Sequence, residues 1–142
     1  MLVDANLLLY AVDRSTPLHQ PASAWLTEVL NGRRRVGFPW QSIGAFVRII
    51  THPRVTTNPL TGADAWRFVE AWLDADPSWI PAATERTAAV YGELAGTQQV
   101  TGNLVPDAML AALALEHGLK VMSADTDFAR FPGLRWENPL TT

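Results

Sequence analysis

Cysteine is absent from the 142 residues, which excludes disulfides and thiolate metal ligation and leaves oxygen or imidazole to hold any bound cation. Long apolar runs are absent too. No stretch approaches the roughly 20 residues of a membrane span, and the start, Met1-Leu2-Val3-Asp4, lacks a basic segment leading into an apolar one. A soluble cytoplasmic protein with no membrane partner is the expectation. His19, His52 and His117 show no H-x-x-x-H spacing, so zinc catalysis has no support. There is no glycine-rich phosphate loop, no dinucleotide fingerprint, no repeat and no linker, so residues 1–142 read as a single domain. An excess of positive charge is missing as well. A net charge of −3 argues against a protein that coats nucleic acid by electrostatics alone, so any contact with RNA is expected through a local set of arginines.

What is present is enough for one hydrophobic core, since 48% of residues are hydrophobic and six are tryptophan. The apolar run Met1-Leu2-Val3 reads as a strand ending at Asp4, followed by a helix through Leu7, Leu8, Leu9 and Ala11. Ala22, Trp25, Leu26, Val29 and Leu30 keep the spacing of a helix with one buried face, closed by Asn31-Gly32. Val36-Gly37-Phe38-Pro39 predicts a strand, and Gln41 to about Thr51 a helix stopped before Pro53. Thr61 caps a helix with the stripe Ala65, Phe68, Val69, Trp72 and Leu73, and a third strand lies near Trp79-Ile80. Thr84 caps a helix facing inward through Thr87, Val90, Tyr91 and Leu94, with a polar loop expected from Gly96 to Val105.

From Pro106 to Gly118 the chain is apolar almost all round, as in a buried helix with proline in its first turn and glycine past its end. Leu119 to Ala124 reads as a strand delivering Asp125 and Asp127, then a short helix near Phe128 to Phe131, with Trp136 closing the sheet. Strands alternating with helices predict an α/β fold: a three-layer α/β/α sandwich with a mainly parallel central sheet, whose ligands sit at the carboxyl ends of strands.

Three places in this order carry acids: Asp4 after the first strand, Asp107 opening the buried helix, and Asp125 with Asp127 after the late strand. If the two strands are neighbours, their carboxylates converge and the helix start faces the same cleft. Such a set suits Mg²⁺ or Mn²⁺, which prefer carboxylate and water oxygens. Taken singly, Asp107, Asp125 or Asp127 is as readily a helix cap or turn former. Asp4 is harder to assign that way, because a charge directly after an apolar strand and beside leucines is costly to bury without a partner or cation.

The opening Met-Leu-Val-Asp-Ala-Asn-Leu-Leu-Leu-Tyr-Ala resembles the start of PIN domains, whose first strand ends in a metal-binding aspartate. Thr101-Gly102-Asn103-Leu104-Val105-Pro106-Asp107-Ala108 is similar to the second aspartate motif of that family, and Ser123-Ala124-Asp125-Thr126-Asp127-Phe128 with Phe131-Pro132-Gly133-Leu134 to the third. The motifs keep their order over almost the whole chain, whose length suits toxins of the VapC type. The segment Phe46 to Val55 resembles one found in a mycobacterial branch of them.

The resemblance implies a Mg²⁺- or Mn²⁺-dependent endoribonuclease, the toxin of a type II toxin–antitoxin system. It further implies transfer or ribosomal RNA as substrate, a homodimer, and inhibition by a cognate VapB-type antitoxin, often through an arginine placed in the acidic pocket. Carried over by motif, Asp4, Asp107 and Asp125 are the expected metal ligands, and Asp127 is a further ligand or an orienting group among the catalytic four. Asn6 and Ser123 support the site.

Arg48 and Arg54 are the candidates for phosphate contact, with a salt bridge as the competing reading, and Arg33-Arg34-Arg35 reads as a solvated cluster after a helix end. One departure stands out: residues 29–63 contain no acid, although many PIN nucleases carry a carboxylate on the helix after the second strand, near Gly44 and Ala45 here. That gap keeps open a PIN-like binding module without activity. A phosphatase of the haloacid-dehalogenase type is the other alternative, disfavoured because its second acid falls at Asn6.

Overall fold

The computed structural model describes residues 1–141. Five two-residue strands form one parallel sheet: β1 (Leu2–Val3), β2 (Val36–Gly37), β3 (Ser78–Trp79), β4 (Val121–Met122) and β5 (Trp136–Glu137). Their order across the sheet is β3-β2-β1-β4-β5. The chain therefore builds outward from β1 to β3, returns past β1 to β4, and finishes at β5. Because parallel crossovers keep one hand, reversing the direction of travel moves the connecting helices to the opposite face. Four helices, α1 (Ala5–Val12), α2 (His19–Leu30), α3 (Trp40–Ile50) and α4 (Gly62–Asp74), serve the outward leg. The return leg uses α5 (Glu85–Thr97) and α6 (Leu104–His117), and a 3-10 turn over Thr126–Arg130 follows β4. This is the expected three-layer sandwich, with all strand pairs parallel.

Alternation along the strands feeds two cores. Val3, Val36 and Met122 pack with Leu7, Leu8, Phe38, Phe46 and Trp72 on one face, whereas Leu2 and Val121 pack with α6, Phe128 and Phe131 on the other. Phe46 meets Trp72 edge-on at 4.9 Å between centroids, a geometry that adds to area burial. Helix α6 is the most buried, with Ala108, Leu110, Ala111, Ala112, Leu113 and Ala114 all inside, and it ends at Gly118 in the left-handed conformation at φ 67°. Its alanines let it lie close to α5, to which Glu116 is tied by accepting hydrogen bonds from Thr84 and Thr87.

Several expectations shift. Helix α5 runs on to Thr97 and α6 begins at Leu104, so the loop expected from Gly96 is shorter at both ends. Phe68, placed on a core stripe, is 41% exposed because it sits at the margin of α4, walling a cleft with Val12 and Leu60. Trp40, at the start of α3, is 64% exposed and meets the edge of Trp66. Arg35 is not simply solvated, since its guanidinium lies 4.0 Å from the centroid of Trp79. His19 and His117 hold the carbonyls of Tyr10 and Ala82 and play a structural part. No helix among the described residues is long and apolar enough to cross a membrane.

Gly37 sets how closely β2 approaches β1. A Cβ there would come within 3.1 Å of Pro81 Cγ, 3.2 Å of the Met1 carbonyl oxygen and 3.3 Å of Leu2 Cδ1, and the backbone oxygen cannot swing away. Gly37→Ala is therefore expected to destabilise the protein by about 1–3 kcal/mol, the usual cost of overpacking. Equal denaturant midpoints for variant and parent would refute this account of the strand contact.

Candidate active site

The strand order reverses between β1 and β4, and in an open parallel sheet the crevice at the carboxyl side of such a point is where ligands bind. Register places Val3 beside Met122, so both strands end level, with Asp4 following one and Ser123 the other. The Asp4 amide still donates to the Met122 carbonyl at 3.0 Å. From the other face α6 brings Asp107 into the same crevice in its first turn. The two strand ends and the helix start foreseen from sequence thus converge.

Ser123 is the hub. It is fully buried, and its hydroxyl donates to Asp4 Oδ2 at 2.7 Å while accepting from Asn6 Nδ2 at 3.1 Å and from the Asp125 amide at 3.0 Å. A hydroxyl has one proton and two lone pairs, so every bonding capacity of this side chain is used. Asn6 also accepts from the Ala124 amide at 3.4 Å, so it links the start of α1 to the turn after β4. Asp125 Oδ1 accepts from the Asp127 amide at 2.9 Å and caps the 3-10 turn. The indole of Trp136 on β5 donates to the Ser123 carbonyl at 3.0 Å, a bond that no sequence periodicity announces.

Oxygens of Asp107, Asp125 and Asp127 lie within 4.8 Å of one another, close enough for all three to face one ion. This differs in emphasis from the expected set of Asp4, Asp107 and Asp125. Asp4 lies beside the triplet, with Oδ1 taken up by its own helix at the Ala5 amide and Oδ2 by Ser123. Each carboxylate oxygen has a second lone pair, so Asp4 retains acceptor capacity toward the crevice. Asp127, exposed and expected as either a further ligand or an orienting group, stands within the triplet. Helix α3 contains no acid, and an added Cβ at Gly44 would meet nothing within 4 Å.

Electrostatics mark the same place. Burial pushes the Asp4 carboxyl up from its ordinary value, aided by the charge of Asp125 and opposed by the hydrogen bonds from Ser123 and Ala5. Asp107 is pushed from 3.8 to about 7, first by burial, then by the charges of Asp125 and Asp4, by a hydrogen bond with Asp125, and by Asp127. The α6 dipole favours the ionised form by roughly 0.3–1 kcal/mol. Repulsion from Asp125 at up to 4.8 Å is roughly 3 kcal/mol at an effective dielectric of 20, before solvent screening. The dipole loses, and the donor set fits a hard divalent cation that would offset the repulsion.

Arg48 and Arg54 do not join this cluster. Helix α3 starts at the carboxyl edge, and Arg48 lies roughly 12 Å along it at 1.5 Å per residue, with Arg54 in the loop beyond. Neither forms an ion pair among the described residues.

The PIN domain family model matches residues 1–134, and the chain belongs to that family. It is 41% identical over 138 residues to Ribonuclease VapC37 of Mycobacterium tuberculosis (strain ATCC 25618 / H37Rv), covering 97% of this chain and 96% of that protein. It is 37% identical to Ribonuclease VapC33 of Mycobacterium tuberculosis over 140 residues, covering 99% and 98%. Among solved structures the fold resembles a chain of VapBC2 from Rickettsia felis bound to a promoter DNA fragment, with a TM-score of 0.70, 15% identity and 96% of each chain covered. It also resembles Mycobacterium tuberculosis VapC20, a toxin that cleaves the sarcin-ricin loop, with a TM-score of 0.64, 15% identity and 94% and 98% covered.

The raised Asp107 carboxyl fixes the sign of a pH effect in metal-free protein. Its folded value of about 7 exceeds its unfolded value, so its contribution to stability is full below about pH 4 and is lost as pH rises through about 7. The melting temperature in EDTA is expected to fall over that range by more in the parent than in Asp107→Asn, which should be ~2–5 °C more stable at pH 8. Parallel melting curves for the two across pH 4–8 would rule this out.

Proposed function

We propose that this chain is a Mg²⁺- or Mn²⁺-dependent endoribonuclease, the toxin of a type II toxin–antitoxin pair, hydrolysing phosphodiester bonds of structured RNA. The observation that carries the proposal is the carboxylate triplet of Asp107, Asp125 and Asp127 beside Asp4 at the switch point of a PIN-family sheet. The relatives named as VapC ribonucleases support the reaction class. The chemistry a divalent cation supplies in such a pocket is a lowered water pKa and neutralisation of charge on the phosphoryl group. Asp107, Asp125 and Asp127 would hold it, with Asp4 facing the same crevice.

The residues themselves account for the rest. Ser123 and Asn6 hold the Asp4 carboxylate and the 123–127 turn at fixed separation, so the acids need little rearrangement when substrate arrives. Crowded negative charge would repel RNA phosphates unless a cation intervenes, which makes metal a condition for binding as well as for chemistry. The same crevice suits a guanidinium of a VapB-type antitoxin, the partner type present in solved structures of this fold. In this reading transfer or ribosomal RNA is the substrate, the protein acts in the cytoplasm, and it assembles as a homodimer.

The acid-free α3 gives the inactive-module reading its one point of support. The phosphatase reading has less, because Asn6 is committed on both sides of its amide to Ser123 and Ala124. Incubation of antitoxin-free protein with total RNA and Mn²⁺ tests the proposal. Discrete cleavage should be abolished by EDTA and reduced at least ~100-fold in folded Asp4→Asn, Asp107→Asn and Asp125→Asn, more than the loss usual for groups that only orient ligands. Cleavage undiminished in those variants would end the assignment, and binding of antitoxin without cleavage under any metal would favour the module.

A further inference from the structure

The turn that carries Asp125 and Asp127 is anchored at one peptide unit, the one joining Ser123 to Ala124. Its carbonyl oxygen accepts from the Trp136 indole at 3.0 Å, and its N–H faces Asn6 Oδ1 at 3.4 Å. A peptide is a rigid plane, so holding its oxygen and its nitrogen from opposite sides fixes its rotation. The preceding amide of Ser123 donates to the Glu137 carbonyl at 3.1 Å, so β5 grips residue 123 through both Trp136 and Glu137. Downstream, the Asp125 amide rests on the Ser123 hydroxyl and Asp125 Oδ1 on the Asp127 amide. The aim of the two carboxylates therefore depends on the orientation of this plane as well as on the Ser123 hydroxyl, and the side chain that orients the plane's oxygen lies on the edge strand, outside the acidic cluster.

We propose that Trp136 is a positioning residue for the cation site: its indole N–H, by fixing the Ser123–Ala124 peptide, sets the separation of Asp125 and Asp127 from Asp107 and so the affinity for a divalent ion. This rests on the metal-site reading above. Nothing about the ring's bulk is required. Trp136 and Leu134 both pack against the cluster beneath α6, and a ring without a donor could fill the place of the indole. The N–H is the part that reaches Ser123, which has no exposure to water that might replace it.

The test is Mn²⁺ binding by calorimetry on RNA-free protein, in parent, Trp136→Phe and Leu134→Ala. Leu134→Ala trims the same cluster without touching residue 123. In Trp136→Phe the dissociation constant should rise about tenfold or more, as is usual when a group orienting a ligand is lost. Leu134→Ala should stay within about twofold of the parent despite a lower melting temperature. RNA cleavage by Trp136→Phe should recover its kcat at high Mn²⁺, because the acids themselves are intact. Replacing the indole of Trp136 by benzothiophene, which keeps the shape and removes the N–H, should reproduce the weakening if phenylalanine proves too small to fold well. Equal Mn²⁺ affinity in parent and the N–H-free variants overturns the proposal, as does equal weakening in Leu134→Ala. A parent protein that binds no Mn²⁺ would instead overturn the metal-site reading on which this one stands.

Discussion

Four carboxylates share the crevice between β1 and β4, and their mutual repulsion is the constraint around which the rest is arranged. Folding must bring Asp4, Asp107 and Asp125 together from the first strand, the last long helix and the turn after β4, against a penalty that rises as each loses water. The opposing gain lies in the two cores that flank the sheet. Phe38, Phe46 and Trp72 on one side and the alanine-rich face of α6 on the other leave the strand ends little freedom to separate. Proteins commonly hold such disfavoured groupings where function needs them, and the unfavourable charge is itself a marker of the site.

Much of this site could be read along the chain because its acids occupy strand ends and a helix start, places that hydrophobic periodicity locates. Asp4, Asp107 and Asp125 belong to that class, and the parallel fold supplied the reason for their convergence. The balance between Asp4 and Asp127 could not be read this way. It depends on which carboxylate oxygens are already engaged, here by the Ala5 amide and the Ser123 hydroxyl, and hydrogen bonds between side chains distant in sequence leave no periodic trace. Trp136 illustrates the same limit: its apolar ring belongs to a core pattern, whereas its N–H points elsewhere. Phe68 failed for a geometric reason, since a helical stripe does not reveal where its neighbours stop. Arg48 and Arg54 lie outside what periodicity can judge, because a helix converts nearness in sequence to a strand end into distance along its axis.

The sheet is unusually slight for the work it does. Each strand contributes two residues to the ladder, so helices bury most of the apolar surface and the strands act chiefly as a jig that aligns their ends. Close approach of β1 and β2 at Gly37 and the tie of α5 to α6 through Glu116 help to hold that jig. Side chains one residue beyond such short strands inherit the alignment almost directly, with no length of ladder over which twist could accumulate.

The pairing of Leu2 with Val121 has a consequence in time as well as in space. A ribosome delivers β1 first, and the strand beside which Asp4 must lie emerges only after the intervening hundred-odd residues. Until then Ser123, Asp125 and Asp127 do not exist alongside it, and β1 has only β2 for a neighbour. Until β4 has been made, the nascent chain thus carries a half-built sheet and no assembled acid cluster. The wiring of the fold withholds the acid cluster until β4 and the turn after it have been made.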